Sequence, residues 1–379
     1  MDPFLGTGTT SLVAKANKLN SVGIEAHSFV FDIAKTKLFW EYNYKKLEKD
    51  LNSLIKLIEN SSEKDWGTIK IEDAPELLRK CYSDKALRQL YFISVSIKEG
   101  GFTKQEKKLF DLALINSLRL VSAAGTGWPY IAPSKFGSKK SEKDVFSTFL
   151  KVIRQMYSDL DSVRNFSDKT TSTKIILGDA RMDNGIPANS VDLVVTSPPY
   201  LNNYDYADRT RLETYFCGVA KNWGEITSKI RSKLMIASTT QVFGSSDRNI
   251  KLNKEIYEID PSLFDELSKK IEELSEIKKT RKGKKNYDWL VTGYFNDMYD
   301  VLKQLAKIMK KGGKSFWVLG DSAPYGIHIK TEEYIGRLAI GMGFKRYEIE
   351  VLRSRGEKWA KNPQRHNVKL KESILTITR

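Results

Sequence analysis

The sequence predicts an α/β fold with a mainly parallel sheet that is interrupted by a helical insertion. Short apolar strands alternate with helical patterns at both ends of the chain, over residues 1–43 and 174–379. Residues 44–173 lack this alternation and repeat leucine at helical spacing, as in Leu47, Leu51 and Leu54. We therefore expect a discontinuous α/β core and a separate helical insertion.

The first 40 residues follow the order loop, helix, strand, helix. Glycines mark a tight loop at Gly6 and Gly8, and residues 10–19 have helical spacing. Residues 21–25 form a short strand that ends in an acid, and residues 29–40 are helical again. This order is typical of the start of an α/β sheet.

The alternation resumes with two apolar strands at residues 174–177 and 191–195. The second strand runs into two prolines, which cannot continue a central strand, so the chain must leave the sheet there. Residues 219–290 form an excursion that contains an amphipathic helix beginning near Pro261 and ends in a basic run. We expect this basic excursion to interrupt the core.

The last 90 residues return to the α/β pattern. A helix with apolar residues from Phe295 to Ile308 is predicted to stop at Gly312 and Gly313. A buried strand follows at residues 315–319. Residues 345–352 and 373–378 are predicted to pair as antiparallel strands around a basic loop.

The composition favours a polyanionic partner and excludes several classes of protein. The 379 residues carry 63 Lys and Arg against 47 Asp and Glu, a net charge of +16, which is typical of proteins that bind nucleic acid. Cys81 and Cys217 form no disulfide framework and no four-cysteine zinc site, and we expect both in the core. The three histidines show no metal-ligand spacing. No apolar run approaches the ~18 residues of a membrane span, and no signal peptide is present, so we expect a cytoplasmic protein.

A glycine loop at the N-terminus is the first candidate ligand site. Asp2-Pro-Phe-Leu-Gly-Thr-Gly-Thr-Thr10 precedes a helix, and glycines allow the backbone to approach a ligand at a helix N-terminus. A plain structural turn explains such a loop about equally well. Glu25 favours the functional interpretation, because an acid at the end of the next strand can accept hydrogen bonds from both ribose hydroxyls of a nucleoside cofactor.

Ser197-Pro-Pro-Tyr200 is the sharper motif. Ser197 offers a hydroxyl group, the carbonyl of Pro198 is held rigidly by the two prolines, and Tyr200 offers a flat ring. Together these groups can accept hydrogen bonds from an exocyclic amine while the ring stacks on the base. Tyr204 and Tyr206, just downstream, could wall a base pocket or pack in the core, and Asp205 could bind substrate or cap a turn.

This combination resembles the amino-group DNA methyltransferases, which transfer a methyl group from S-adenosylmethionine to N4 of cytosine or N6 of adenine. Asp2 to Thr10 resembles their cofactor loop, residues 23–25 the strand with the ribose-binding acid, and Gly178-Asp179-Ala180 the segment that contacts the cofactor adenine. The resemblance implies a Rossmann-like core. It implies these cofactor-binding residues: Asp2, Phe4, Gly6, Gly8, Thr9, Glu25, Asp179 and Ala180.

The resemblance also implies the chemistry. Ser197, Pro198, Pro199 and Tyr200 would be the catalytic residues, acting on a base flipped out of the duplex. The family's tetrad opens with Ser most often in N4-cytosine enzymes, so cytosine is favoured over adenine. A restriction–modification or related defence system is the implied setting. Neither cysteine follows a proline as in 5-methylcytosine enzymes, so no covalent cysteine is expected.

Two basic segments are the predicted contacts to the phosphates of double-stranded DNA. Residues 269–285 hold eight Lys or Arg against three Glu, and residues 353–369 hold six against one. The residues chosen are Lys278, Lys279, Arg281, Lys282, Arg353, Arg355, Lys358 and Arg365. The helical insertion is the candidate for target recognition.

One departure from the family concerns the first central strand, which is expected before Asp2 and is absent from the sequence. An internal start, a second copy or partner chain that completes the sheet, and an inactive remnant all stay open as explanations. Two other functions also stay open. One is methylation of RNA bases, whose tetrad usually opens with Asn or Asp, and the other is a catalytically incomplete DNA-binding subunit.

Overall fold

The computed structural model describes residues 1–123, 143–164, 171–242, 250–281, 285–355 and 368–379. The strands in these ranges are β1 (Ser21–Glu25), β2 (Thr173–Leu177), β3 (Val191–Thr196), β4 (Met309–Gly320), β5 (Arg346–Arg355) and β6 (Leu370–Thr378). The helices are α1 (Thr9–Ala16), α2 (Ser28–Lys37), α3 (Tyr44–Glu59), α4 (Glu63–Trp66), α5 (Glu76–Cys81), α6 (Asp84–Glu99), α7 (Lys104–Val121), α8 (Val145–Val163), α9 (Tyr206–Arg209), α10 (Arg211–Phe216), α11 (Trp223–Lys229), α12 (Lys254–Ile259), α13 (Pro261–Thr280), α14 (Tyr287–Ile308) and α15 (Thr331–Gly341). The chain is therefore a mixed α/β protein.

The strands form a parallel pair and a mixed four-stranded sheet. Strands β1 and β2 run parallel, and the second sheet has the order β3-β4-β6-β5. Strands β3 and β4 are parallel, whereas β6 lies antiparallel between β4 and β5. The predicted antiparallel pair near the C-terminus is therefore confirmed.

Met1 and Asp2 connect the two sheets. They lie between β1 and β3 in extended conformation, and Asp2 forms a parallel bridge with Gly23. Their backbone groups make hydrogen bonds of 2.7–3.0 Å to both flanking strands, at Val22 and Ile24 of β1 and at Leu193 and Val195 of β3. Met1 and Asp2 therefore join the edges of β1 and β3 over part of their length.

One predicted boundary was wrong. Helix α14 ends at Ile308, and Gly312 and Gly313 lie inside strand β4 instead of stopping the helix. The carbonyl of Ile308 accepts a hydrogen bond from the backbone N–H of Ser190 at 2.8 Å, which satisfies the helix end before the glycines are reached. Gly312 has a φ of +82° within the strand, a conformation that favours glycine.

Two hydrophobic clusters organise the molecule. One holds helices α3 and α5 to α11, with Leu47, Phe110 and Phe149 buried in it. The other lies between the sheet and helices α12 to α15. The short helices after β3 therefore pack with the helical insertion, while the predicted division into domains stays a prediction. Within the described residues, no helix is long and apolar enough to cross a membrane.

Candidate active site

A cavity of about 180 Å³ lies where strands β1, β2 and β3 end. Glu25 ends β1, Asp179 follows β2 and Ser197 follows β3. The carboxyl ends of parallel strands meet at one edge of a sheet, which is where open α/β sheets bind their ligands. Seven of the predicted site residues line this one cavity: Phe4, Gly6, Glu25, Asp179, Ala180, Ser197 and Pro199.

The buried carboxylate of Asp2 holds the N-terminal loop in place through hydrogen bonds. One of its carboxylate oxygens accepts hydrogen bonds from the Phe4 N–H at 3.0 Å and the Thr196 hydroxyl at 2.7 Å. The other accepts from the Thr10 hydroxyl at 2.7 Å. Asp2 is buried and does not line the cavity, so its contacts fix the loop against β3 and α1.

Gly6 and Gly8 have different structural roles in the loop. Gly6 has a φ of +55° and donates its N–H to a carboxylate oxygen of Glu25 at 2.8 Å. Gly8 has a φ of +90°, and a Cβ atom there would lie 3.3 Å from the Cβ of Ala34. Gly8 therefore allows α1 and α2 to pack closely, and the exposed Thr9 begins α1 away from the cavity.

Glu25 presents a partly buried carboxylate to the cavity. Its two oxygens accept hydrogen bonds from the N–H groups of Gly6 and His27, each at 2.8 Å. Burial raises the pKa of Glu25 to about 7, against the opposing effect of these two hydrogen bonds. A carboxylate has about four acceptor sites, so the group keeps capacity to accept a hydrogen bond from a hydroxyl group of a ligand.

Asp179 is held by an arginine that the sequence reasoning missed. Arg181 donates to both carboxylate oxygens of Asp179, with its Nη2 at 2.6 Å from one of them. The same guanidinium reaches Asp297 of α14 at 2.9 Å. Asp297 of α14 therefore helps to fix the side chain of Asp179 at the cavity edge, through Arg181. The only sequence signal was the spacing of Arg181 two residues after Asp179.

Two of the four tetrad residues, Ser197 and Pro199, line the same cavity. The Ser197 hydroxyl donates to the carbonyl of Val318 at 3.5 Å. Tyr294, which is fully buried, donates its hydroxyl to the carbonyl of Pro199 at 3.1 Å and so anchors the proline pair. Pro198 and Tyr200 do not line the cavity.

Tyr204, Asp205 and Tyr206, just after the tetrad, could line a base pocket or have a structural role. Tyr206 lines the cavity, whereas Tyr204 does not. Asp205 caps α9 and forms a buried ion pair with Arg231 at 2.7 Å. Asp205 is therefore a structural residue here.

The predicted phosphate contacts are mostly engaged within the chain. Lys278 pairs with Asp288, Lys279 pairs with Glu276, and Arg281 lies over the Tyr325 ring. Arg353 pairs with Glu372, and Arg355 lies over the Tyr200 ring. Lys282, Lys358 and Arg365 lie outside the described residues.

Neither cysteine lines the cavity. Burial raises the pKa of the Cys81 thiol to about 11. Cys217 is exposed, so its predicted place in the core was wrong. Within the described ranges, no group of three His, Cys, Asp or Glu side chains is arranged to hold a metal ion.

Three curated relatives match nearly the whole chain. The type II methyltransferase M.BsoBI of Geobacillus stearothermophilus is 24% identical over 94% of this chain and 74% of its own length. M.AvaI of Nostoc sp. is 23% identical over 93% and 74%, and M.MvaI of Kocuria varians is 24% identical over 93% and 75%. Over most of its length the chain is therefore similar to type II methyltransferases. No family model and no solved structure matches this chain.

The cavity fits the cofactor of these enzymes. Type II DNA methyltransferases use S-adenosylmethionine as methyl donor. In this chain, Glu25 lies on the cavity beside the glycine loop and keeps acceptor capacity, which suits a ligand that carries hydroxyl groups. Asp179 and Ala180 line the same cavity.

Binding of S-adenosylhomocysteine is expected to weaken as the pH falls below 7. Hydroxyl donors favour the ionised form of Glu25, whose pKa of about 7 is raised by burial, so protonation removes acceptor strength. We expect a constant Kd above pH 8 and an increase of about tenfold per pH unit below pH 6.5, measured by calorimetry.

Glu25→Gln is the control, because an amide does not titrate. Its Kd should be higher than that of the wild type at pH 8 and flat across the range. His27, whose pKa burial lowers to about 4, does not titrate in this window. A pH-independent Kd for the wild-type protein would contradict the role given to Glu25.

Proposed function

We propose that this chain methylates the exocyclic amine of a base flipped out of duplex DNA, with N4 of cytosine favoured over N6 of adenine. The observation that carries the proposal is the single cavity that brings Gly6 and Glu25 together with Ser197 and Pro199. A nucleoside cofactor at the first pair and a base at the second would share one enclosed space. The preference for cytosine rests on Ser197, which opens the tetrad.

The proposed core is Rossmann-like. The order β2, β1, the Met1–Asp2 segment, β3, β4, β6 and β5 supports it, with parallel neighbours up to β4 and an antiparallel β6. The helical insertion and the excursion over residues 219–290 are proposed to recognise the target, since cofactor chemistry does not require them. A restriction–modification or related defence system is the proposed setting.

The residues act mainly by positioning. The Ser197 hydroxyl can donate its proton to the Val318 carbonyl or to the Tyr200 hydroxyl, and its lone pairs are proposed to accept from the amine of the base. The Pro198 carbonyl is proposed as the second acceptor, and Tyr200 as the stacking surface. S-adenosylmethionine supplies an electrophilic methyl group when bound. Two fixed acceptors would hold the amine in one orientation, which lowers the barrier through proximity and electrostatics.

The decisive experiment is methyl transfer to duplex DNA of mixed sequence from labelled S-adenosylmethionine. The DNA is digested to nucleosides and analysed by mass spectrometry. We expect N4-methylcytosine. N6-methyladenine would contradict the choice of base, and label only in a parallel reaction with structured RNA would favour the RNA alternative. The absence of label from both nucleic acids would contradict the proposed function.

A further inference from the structure

Glu372 contacts the tetrad from a strand that no motif marked. It lies on β6, opposite Gly320 of β4 and Arg353 of β5. One oxygen of its carboxylate accepts a hydrogen bond from the Tyr200 hydroxyl at 3.0 Å. The other accepts from Nε of Arg353 at 2.5 Å. A single side chain thus joins the tetrad tyrosine to the neighbouring antiparallel strand.

Arg355 contacts the ring of the same tyrosine. Its guanidinium carbon lies 5.2 Å from the centroid of the Tyr200 ring, within the range of a cation–π contact. The guanidinium also donates to the carbonyl of Asp321 at 3.0 Å, which holds it in place. Two independent contacts, one at the hydroxyl and one at the ring, therefore act on Tyr200.

Gly320 makes room for this arrangement. A Cβ atom at that position would lie 2.1 Å from Nη1 of Arg355 and 3.1 Å from Cδ2 of Tyr200. Any side chain there would displace the guanidinium from its position beside the ring.

The carboxylate of Glu372 favours its ionised form, although burial alone would favour the neutral form. Its side chain is 12% exposed. Burial by itself would raise the pKa of Glu372, but hydrogen bonds from Arg353 and Tyr200 keep it below its usual value. An ionised acceptor makes a stronger hydrogen bond to the Tyr200 hydroxyl than a neutral one.

We propose that Glu372 is a positioning residue for base methylation, which fixes the Tyr200 ring through its hydroxyl while Arg355 covers one face. The opposite face then receives the base. This inference rests on the proposed function, because it assigns the ring of Tyr200 to the base. Glu372 itself does not touch the substrate.

The test is a double-mutant cycle in methyl transfer to duplex DNA. Glu372→Ala is expected to lower the single-turnover rate about tenfold, the effect of losing one charge-assisted hydrogen bond at a positioned group. Tyr200→Phe keeps the ring and removes the hydroxyl. Because Glu372 acts through that hydroxyl, Glu372→Ala should cause no further loss in the Tyr200→Phe background.

Glu348→Ala is the matched control, since Glu348 also pairs with an arginine of β5, Arg346, at 3.6 Å, but is exposed. Its rate should equal that of the wild type. Binding of S-adenosylhomocysteine should be unchanged in Glu372→Ala. If that variant does not fold, Glu372→Gln, which keeps an acceptor, should lose about threefold in rate and again nothing further with Tyr200→Phe.

Failure of the inference differs from failure of the function. The wild-type protein could methylate DNA while Glu372→Ala lowers the rate by the same factor in the wild-type and Tyr200→Phe backgrounds. This result would overturn the role of Glu372 and leave the function intact. An unchanged rate in Glu372→Ala would have the same meaning. A wild-type protein that transfers no methyl group to DNA would overturn both.

Discussion

Ser197→Ala is expected to lower kcat for methyl transfer to DNA by about 100-fold, the size of effect seen when one preorganised hydrogen-bonding group is removed from an active site. Ser197 lines the cavity, and its hydroxyl is the group proposed to accept a hydrogen bond from the amine there. Alanine leaves one amine hydrogen without an acceptor. The rate would be measured under saturating S-adenosylmethionine with labelled methyl groups.

Measuring cofactor binding distinguishes this effect on kcat from a general disruption of the fold. Glu25 lies on the same cavity but at the end of a different strand, so the Kd of S-adenosylhomocysteine should change less than about twofold. Ser190→Ala is the matched control, because Ser190 precedes β3 and its hydroxyl donates only to the Pro187 carbonyl in a surface turn. A kcat for Ser197→Ala equal to that of Ser190→Ala would contradict the proposed role.

Arg231→Ala is expected to lower the free energy of unfolding by about 3 kcal/mol, because it leaves a buried carboxylate without its countercharge. Arg231 and Asp205 are 3% and 1% exposed, and Nε of Arg231 lies 2.7 Å from the Asp205 carboxylate. Asp205 keeps hydrogen bonds from Thr240 and from two backbone N–H groups. The loss of stability should therefore lie at the lower end of the range expected when a buried ion pair loses one partner. Urea unfolding followed by circular dichroism measures it.

Lys310→Ala is the control for this prediction. Lys310 pairs with Asp192 at 2.6 Å, but the two side chains are 47% and 75% exposed. Water screens such a pair, so its loss should cost less than about 1 kcal/mol. Equal losses in the two variants would show that burial does not set the strength of the Arg231 pair.

Local patterns predicted the elements that carry the site. Short apolar runs between helical patterns located β1, β2 and β3, and the two prolines after β3 placed Ser197 outside the sheet. Parallel strands align their carboxyl ends, and one cavity at that edge contains Glu25, Asp179 and Ser197.

The supporting contacts were not predictable. Tyr200 and Glu372 are 172 positions apart, and Tyr294 meets Pro199 from 95 positions away. No local pattern distinguishes Tyr294 from the other apolar residues of α14. The basic segment 353–369 was interpreted as phosphate contacts, yet Arg355 lies against the tetrad tyrosine.

The strands, the helices of residues 44–173, the glycine loop and the tetrad were readable from local patterns, because each depends on residues close together in the chain. The contacts of Asp2 with the loop, of Arg181 with Asp179 and of Glu372 with Tyr200 emerged only from the folded chain. The Asp2–Thr196 and Tyr200–Glu372 contacts depend on strand register, and the Arg181–Asp297 contact depends on the rotation of α14. Register and rotation are set by packing over the whole chain.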